Sequence, residues 1–257
     1  MSEPRILLLD IETLPDLKEV MKVMPQLSAY PGLTLKASIN SIICIGYRWS
    51  HERDTKVICA WDYPQWDKDV NDDGEVLRAF LPIIERADIV ATHNGKRFDW
   101  KFIQTRIIKH NLTPIKKTTH IDTCQLAKQH LYLFNNRLST LAKFMTDTDK
   151  LENGGWELWE QVLNRDEKAM RLMARYCKRD VDVLHAVFKK LKPFMVGIPN
   201  MNIYREGEEF VCPKCGSTRI EKRGTGHNKS GPYLKFHCYD CLSWSSAKNE
   251  SKEPKAI

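Results

Sequence analysis

The first apolar cluster in the chain is Ile6-Leu-Leu-Leu9, an unbroken run of the kind found in a strand buried on both faces at the centre of a sheet. Asp10 and Glu12 follow at its C-terminal end, and the two-residue period of a strand points both carboxylates the same way. Residues 42–48 and 56–60 are rich in Ile, Val, Tyr and Cys and predict a second and a third strand. A helical period begins at 74–87, with Val76, Leu77, Phe80, Leu81 and Ile84 on one side. A short strand at 88–92 ends in the turn signal His93-Asn-Gly95, and a helix is predicted over 98–110. A last short strand at 119–122 leads into a helix at 123–132 and another opened by Ser139. The longest helix spans 165–190, with Asp166 and Glu167 favourable at its start and basic residues at its end.

The intervening segments are less regular. Residues 13–40 hold Pro15, Pro25 and Pro31 and predict a long loop with a short helix at 17–24; 61–73 predicts an exposed loop; 147–156 is polar and Gly-rich. The Trp61/Trp66 and Trp156/Trp159 pairs are expected mainly in packing. Strands in a meander, then alternating with helices, give an α/β domain with a mixed sheet flanked by helices. No apolar run approaches the roughly 20 residues that span a bilayer, and the N-terminus has no signal-peptide profile, so a cytoplasmic protein with no membrane partner is expected.

Charge and cysteine usage divide the chain unevenly. From Val211 onward there are nine Lys or Arg against four acids, so most of the net +7 lies in the last 47 residues and would attract an anionic partner such as nucleic acid. Cys44, Cys59, Cys124 and Cys177 sit inside apolar patterns, as buried thiols do. Cys212-Pro-Lys-Cys215-Gly216 and Cys238-Tyr-Asp-Cys241 are two Cys-x2-Cys knuckles, each able to supply half of a tetrahedral Zn2+ site. Four thiolates leave no open position, so one structural Zn2+ is expected. Between and beyond the knuckles lie Arg219, Lys222, Arg223, Lys229 and Lys235, with Tyr233, Phe236 and Trp244, a mixture suited to phosphate contact and base stacking. A ribbon that only stabilises the fold or docks protein is the alternative.

Two further acids can join Asp10 and Glu12. Asp99 falls in the first turn of the helix after the fourth strand, where the helix dipole favours any acid, so alone it marks no site. On the long helix the apolar row Met173, Cys177, Leu184 and Phe188 also contains Asp180, and an acid on a buried stripe needs a partner. Asp182 lies about 200° round the helix and can be a solvated charge. Asp10, Glu12, Asp99 and Asp180 would offer hard oxygen ligands to two Mg2+ or Mn2+ ions about 4 Å apart, an arrangement that hydrolyses phosphodiesters. Tyr176, one turn before Asp180, has too high an ordinary pKa for a general base and is assigned to orienting the attacking water.

Asp10-Ile-Glu-Thr13, Asn94-x3-Phe98-Asp99 and Tyr176-x3-Asp180, in that order, resemble the three exonuclease motifs of the DEDD (DnaQ-like) 3′–5′ exonuclease superfamily. The tyrosine places the resemblance in the tyrosine subclass, similar to the exonuclease domain of family B DNA polymerases; the histidine subclass would need His where Arg175 stands. The resemblance implies an RNase H-like fold, with Thr13 and Leu14 near the 3′-terminal nucleotide and Asn94 and Phe98 shaping the cleft. The C-terminal segment is similar to zinc ribbons of transposases and other nucleic-acid proteins. The expected organisation is an exonuclease domain at 1–192, a linker at 193–209, a four-cysteine zinc ribbon at 210–246 and a disordered tail at 247–257. The expected activity is metal-dependent 3′–5′ removal of nucleotides from single strands, DNA favoured, with replication or repair proteins as the class of partner. An RNase H-like endonuclease using the same carboxylates, or a non-catalytic protein binding through the ribbon, are the alternatives.

Overall fold

The structure is a computed structural model and describes residues 4–15, 40–146, 156–195 and 211–248. It comprises two compact units, Arg5–Phe188 and a second made of Met1–Pro4 with Lys189–Ile257.

The first unit is built on a five-stranded sheet of β1 (Ile6–Pro15), β2 (Asn40–Trp49), β3 (Lys56–Cys59), β4 (Ile89–Thr92) and β5 (Thr119–Asp122). The order is β3-β2-β1-β4-β5, with β1–β2 and β2–β3 antiparallel and β1–β4 and β4–β5 parallel. The apolar run of β1 therefore occupies the middle of a mixed sheet, and Leu7, Leu8 and Leu9 are all fully buried. Helices α1 (Gly74–Ile84), α2 (Asp99–Lys109), α3 (Thr123–His130), α4 (Leu138–Met145), α5 (Trp156–Leu163) and α6 (Glu167–Leu191) complete this part of the chain. The row Met173, Cys177, Asp180, Leu184 and Phe188 of α6 is buried along its length. Asp166 caps α6 by accepting from the Ala169 N–H at 2.8 Å.

Gly46 of β2 lies opposite Asp10 in the β1–β2 register. A Cβ there would come within 2.9 Å of both Cys177 Sγ and Val181 Cγ2. Only hydrogen lets α6 approach this closely, and Asp180 lies on the helix between those two contacts.

Three expectations are corrected. The segment 61–73 is not an exposed loop: Ala60–Asp62 forms a 3-10 turn, Gln65–Lys68 forms one helical turn, and Trp66 is only 2% exposed with its ring 6.2 Å from that of Trp61. Burying a large indole there outweighs the polarity of its Asp neighbours. That segment ends in Asp73, fully buried and paired with fully buried Arg106, while also accepting from the Ile42 N–H and His110. Second, α5 was not expected as a separate helix, and it ends where Arg165 adopts φ 60° before α6 begins. Third, the ribbon strands are β6 (Ile220–Asn228), β7 (Gly231–Cys238) and β8 (Trp244–Lys248), in the order β6-β7-β8. The β7–β8 ladder pairs Ala247 and Lys248, two residues of the expected tail. The short helix expected at 17–24 and most of the linker and tail lie outside the described residues.

Candidate functional site

The sheet and α6 bring Asp10, Glu12 and Asp180 together, with one carboxylate oxygen from each within 4.8 Å of the others. Glu12 and Asp180 are 8% and 4% exposed, so the acids are largely withdrawn from water. Three like charges at that spacing in a poorly hydrated place repel strongly unless a cation lies among them. The donors are all hard oxygens, the set that suits Mg2+ or Mn2+. Their field reaches beyond them: the Cys177 thiol is held well above its ordinary pKa, first by burial and then by Glu12 and Asp10.

Asp99 stands beside this trio but outside that spacing. Its Oδ1 accepts from the backbone N–H of Ile11, at 3.2 Å, between the two carboxylates of β1. Burial pushes its carboxyl up to about 7, against the lowering effect of the backbone hydrogen bonds. Asp182 is not the solvated charge expected of it; it accepts from Thr55, Arg48 and Lys178, which hold its carboxyl below the ordinary range despite partial burial. These bonds engage Asp182 away from the trio.

The remaining predicted residues fall unequally. Tyr176 is half-buried, edge-on to Trp159 with centroids 6.4 Å apart. Trp159 also donates its indole N–H to the Thr13 carbonyl, at 3.0 Å, which ties α5 to the end of β1. Thr13 is nearly buried, and Leu14 is wholly buried in the core and presents no surface to a nucleotide, which corrects its expected role. Phe98 packs on Phe102 at 5.6 Å. Asn94 is exposed and lines a cleft of about 540 Å3 together with Asp10, His93, Lys128, Asn136 and Arg137.

Several of these cleft residues escaped sequence reasoning. Lys128 and Arg137 look like ordinary surface charges until α3 and the turn before α4 bring them into the lining of the same cleft as Asp10. Tyr132 and Phe134, on the connection between those helices, are essentially fully exposed. Asp122 is the organiser of this side. It is 2% exposed, accepts from Asn94 N–H at 2.9 Å and Lys96 N–H at 3.2 Å, and caps α3 through Cys124 and Gln125. Asn94 takes a left-handed φ of 62° there, so the turn that launches α2 and Asp99 is held by the cap of a different helix. An Asp just before a helical run was the available signal.

The four thiols of Cys212, Cys215, Cys238 and Cys241 form the second cluster, also within 4.8 Å of one another. Sulfur pairs Cys212–Cys241 and Cys215–Cys238 are 3.7 and 3.6 Å apart. The knuckles turn alike: Gly216 follows Cys215 with φ 74°, and Leu242 follows Cys241 with φ 58°. The Cys212 N–H reaches Ser217 O at 2.8 Å and the Cys238 N–H reaches Ser243 O at 3.0 Å. Cys212 is drawn down to about 4, chiefly by the Cys215 thiol and then by Ser243, while Cys215 is pushed up. Four sulfurs this close form the donor set that a divalent cation such as Zn2+ takes when all four are deprotonated.

Among curated proteins no match is found. One solved structure that matches is the family B DNA polymerase from the hyperthermophilic archaeon Pyrobaculum calidifontis, 16% identical, with a TM-score of 0.56 over 75% of this chain and 25% of that one. The likeness is one of fold, and the chain corresponds to about a quarter of that polymerase's length. A family model described as RNase_H superfamily matches residues 32–192, well over half of the chain; Asp10 and Glu12 precede the match, and the packing of α6 beside β1 joins them to Asp180. By that match, and with a sheet order and helix placement to suit it, the chain belongs to the RNase_H superfamily.

Proposed function

We propose that the chain is a metal-dependent 3′–5′ exonuclease of the DEDD tyrosine subclass, acting on single-stranded nucleic acid, DNA favoured. The observation that carries this reading is the convergence of Asp10, Glu12 and Asp180, from elements some 170 residues apart, with Asp99 fixed on the backbone between the first two. The motif order supplies the polarity, by resemblance to that superfamily. Asp10, Glu12 and Asp180 would hold Mg2+ or Mn2+ directly, and Asp99 would complete the set from its place beside Ile11. Divalent ions bound there would lower the pKa of a water and neutralise charge gathering on the phosphate.

The chain's own residues then have distinct tasks. Tyr176, on the α6 turn before Asp180, orients the attacking water. Lys128 and Arg137 offset the charge of a strand lying in the cleft, and Asn94 shapes the cleft wall. Asp122 acts through the Asn94 turn as a positioning residue. In the ribbon, the four thiolates would hold Zn2+ as a structural ion.

End-labelled single strands test the reading. Stepwise shortening from the 3′ end with Mg2+ or Mn2+ is expected. Asp10→Ala and Asp180→Ala should each reduce it by on the order of 100-fold or more, beyond the 10- to 100-fold that loss of outer partners costs a metal site. Internal fragments at the earliest times would assign the site to an endonuclease, and full activity in both variants would remove the metal assignment.

A further inference from the structure

The ribbon carries a cleft of about 590 Å3 lined by Arg223, Tyr233, Lys235, Trp244, Ser245 and Ser246. We propose that this cleft is a second single-strand site, in which an unpaired base stacks on Trp244 while neighbouring phosphates meet Lys235 and Arg223. The proposal is independent of catalysis at the acidic trio.

The strand register decides which residues can take part. Tyr233, Lys235 and His237 alternate on one face of β7, and their partners across the β7–β8 ladder are Lys248, Ser246 and Trp244. Phe236 and its β6 partner Lys222 belong to the opposite face. Arg219, paired with Asp240 at 2.6 Å, is not among the residues that line the cleft. Of the basic and aromatic residues in this segment, the fold thus gathers Arg223, Tyr233, Lys235 and Trp244 on one surface and leaves Lys222 and Phe236 on the other.

That surface is held open and stiff. Trp244 is 57% exposed, a large cost for an indole that packing alone would have buried, yet it is propped by His237, 5.0 Å away between ring centroids. His237 in turn meets the Tyr239 ring edge-on at 5.5 Å. Arg223 stands over the Tyr239 ring, donates to its hydroxyl at 2.7 Å and pairs with Glu221 at 2.9 Å, so its guanidinium is fixed before any ligand arrives. Tyr233 lies across Gly226, where a Cβ would run into its ring and come within 2.7 Å of Lys235 Cε. A glycine at 226 therefore sets how deep the cleft is.

An exposed aromatic flanked by positioned cations on a segment of net positive charge fits a flexible polyanion whose bases are free to stack. A duplex keeps its base faces covered and would lose the stacking contact. The cleft lining carries two cations and no acid, and the nearby Glu221 is taken up by Arg223, which suits a phosphate chain better than a basic peptide.

The test uses the full chain loaded with zinc, carrying Asp180→Asn so that the probe survives, and a short thymidine strand with one 5-iodouracil. Irradiation should attach the base to Trp244 or Tyr233, read by peptide mass spectrometry, with unlabelled single strand and not duplex suppressing the adduct. Trp244→Ala should weaken binding of the strand roughly 5- to 150-fold, the range for one lost base stack, with zinc content and melting unchanged. Trp244→Phe should restore most of that affinity. Lys235→Ala should lower the slope of log affinity against log salt by about 0.7. Adducts confined to residues 5–188, or affinity within twofold of the parent in Trp244→Ala, would overturn the site, as would capture of duplex and single strand alike. None of these outcomes depends on whether the acidic trio cleaves.

Discussion

The two ligand clusters are made in opposite ways. The acidic trio draws Asp10 and Asp180 from near the two sequence ends of the first unit and adjoins a core that includes Leu7, Leu9, Ile11 and Leu14 of β1 and Met173 and Cys177 of α6. The four cysteines lie within 30 residues of one another, only Cys238 of them in a strand, beside a small sheet whose β6 is exposed at nearly every position. Hydrophobic burial can place the acids without an ion; little apolar surface is available to place the thiols. On the proposed reading, one cluster is a consequence of folding, and the other, through its ion, is a cause of it.

The largest effect expected from this contrast is on metal removal. Stripping the thiol-bound ion, or Cys212→Ser, should unfold residues 211–248 and leave 5–188 folded, since metal binding supplies on the order of 10 kcal/mol in small zinc modules. Amide chemical-shift dispersion of the two units would show it; loss of both together would mean that the ribbon is not autonomous in this sense.

A second break lies inside the first unit, at the buried Asp73–Arg106 pair. Asp73→Ala strands a guanidinium in the core and should cost about 3–5 kcal/mol in urea unfolding. The Asp73 carboxyl is held below its ordinary value, burial being outweighed by hydrogen bonds from His110 and Arg106. Its contribution is therefore present above about pH 4 and lost as pH falls through the lowered native value, so the parent should lose stability in that window and the variant should lose less. The ribbon has no comparable buried pair among its described residues.

The smallest effect sharpens the likeness of the two knuckles. Leu242 occupies the left-handed position that Gly216 fills in the first, and its side chain is 67% exposed. Leu242→Gly should stabilise the zinc-loaded ribbon by a few tenths to about 1 kcal/mol, measured as a rise in its melting temperature. A fall would mean that the leucine side chain has a contact worth more than the strain.

The same contrast explains what could be read from the amino-acid order. The knuckles are local, so spacing alone exposed them, and Asp180 was legible because an acid interrupted an apolar helical row. The central place of β1 followed from four apolar residues with no polar alternation. Asp73 was not legible, because its partner Arg106 lies 33 residues away and only the fold makes them neighbours. Helix α5 was missed because it is short and follows a polar stretch. Leu14 looked like a motif residue, but its side chain is spent on the core.

The hydrogen atom that stands in for a side chain at position 46 has a mechanical meaning. Helix and strand touch there with no compressible group between them, so the gap across the acidic trio is a hard-sphere distance and not a loop setting. A methyl at that point would move a ligand without altering one. The site's tolerance for ions of different radius is thereby written into a seam whose residues never meet the ion.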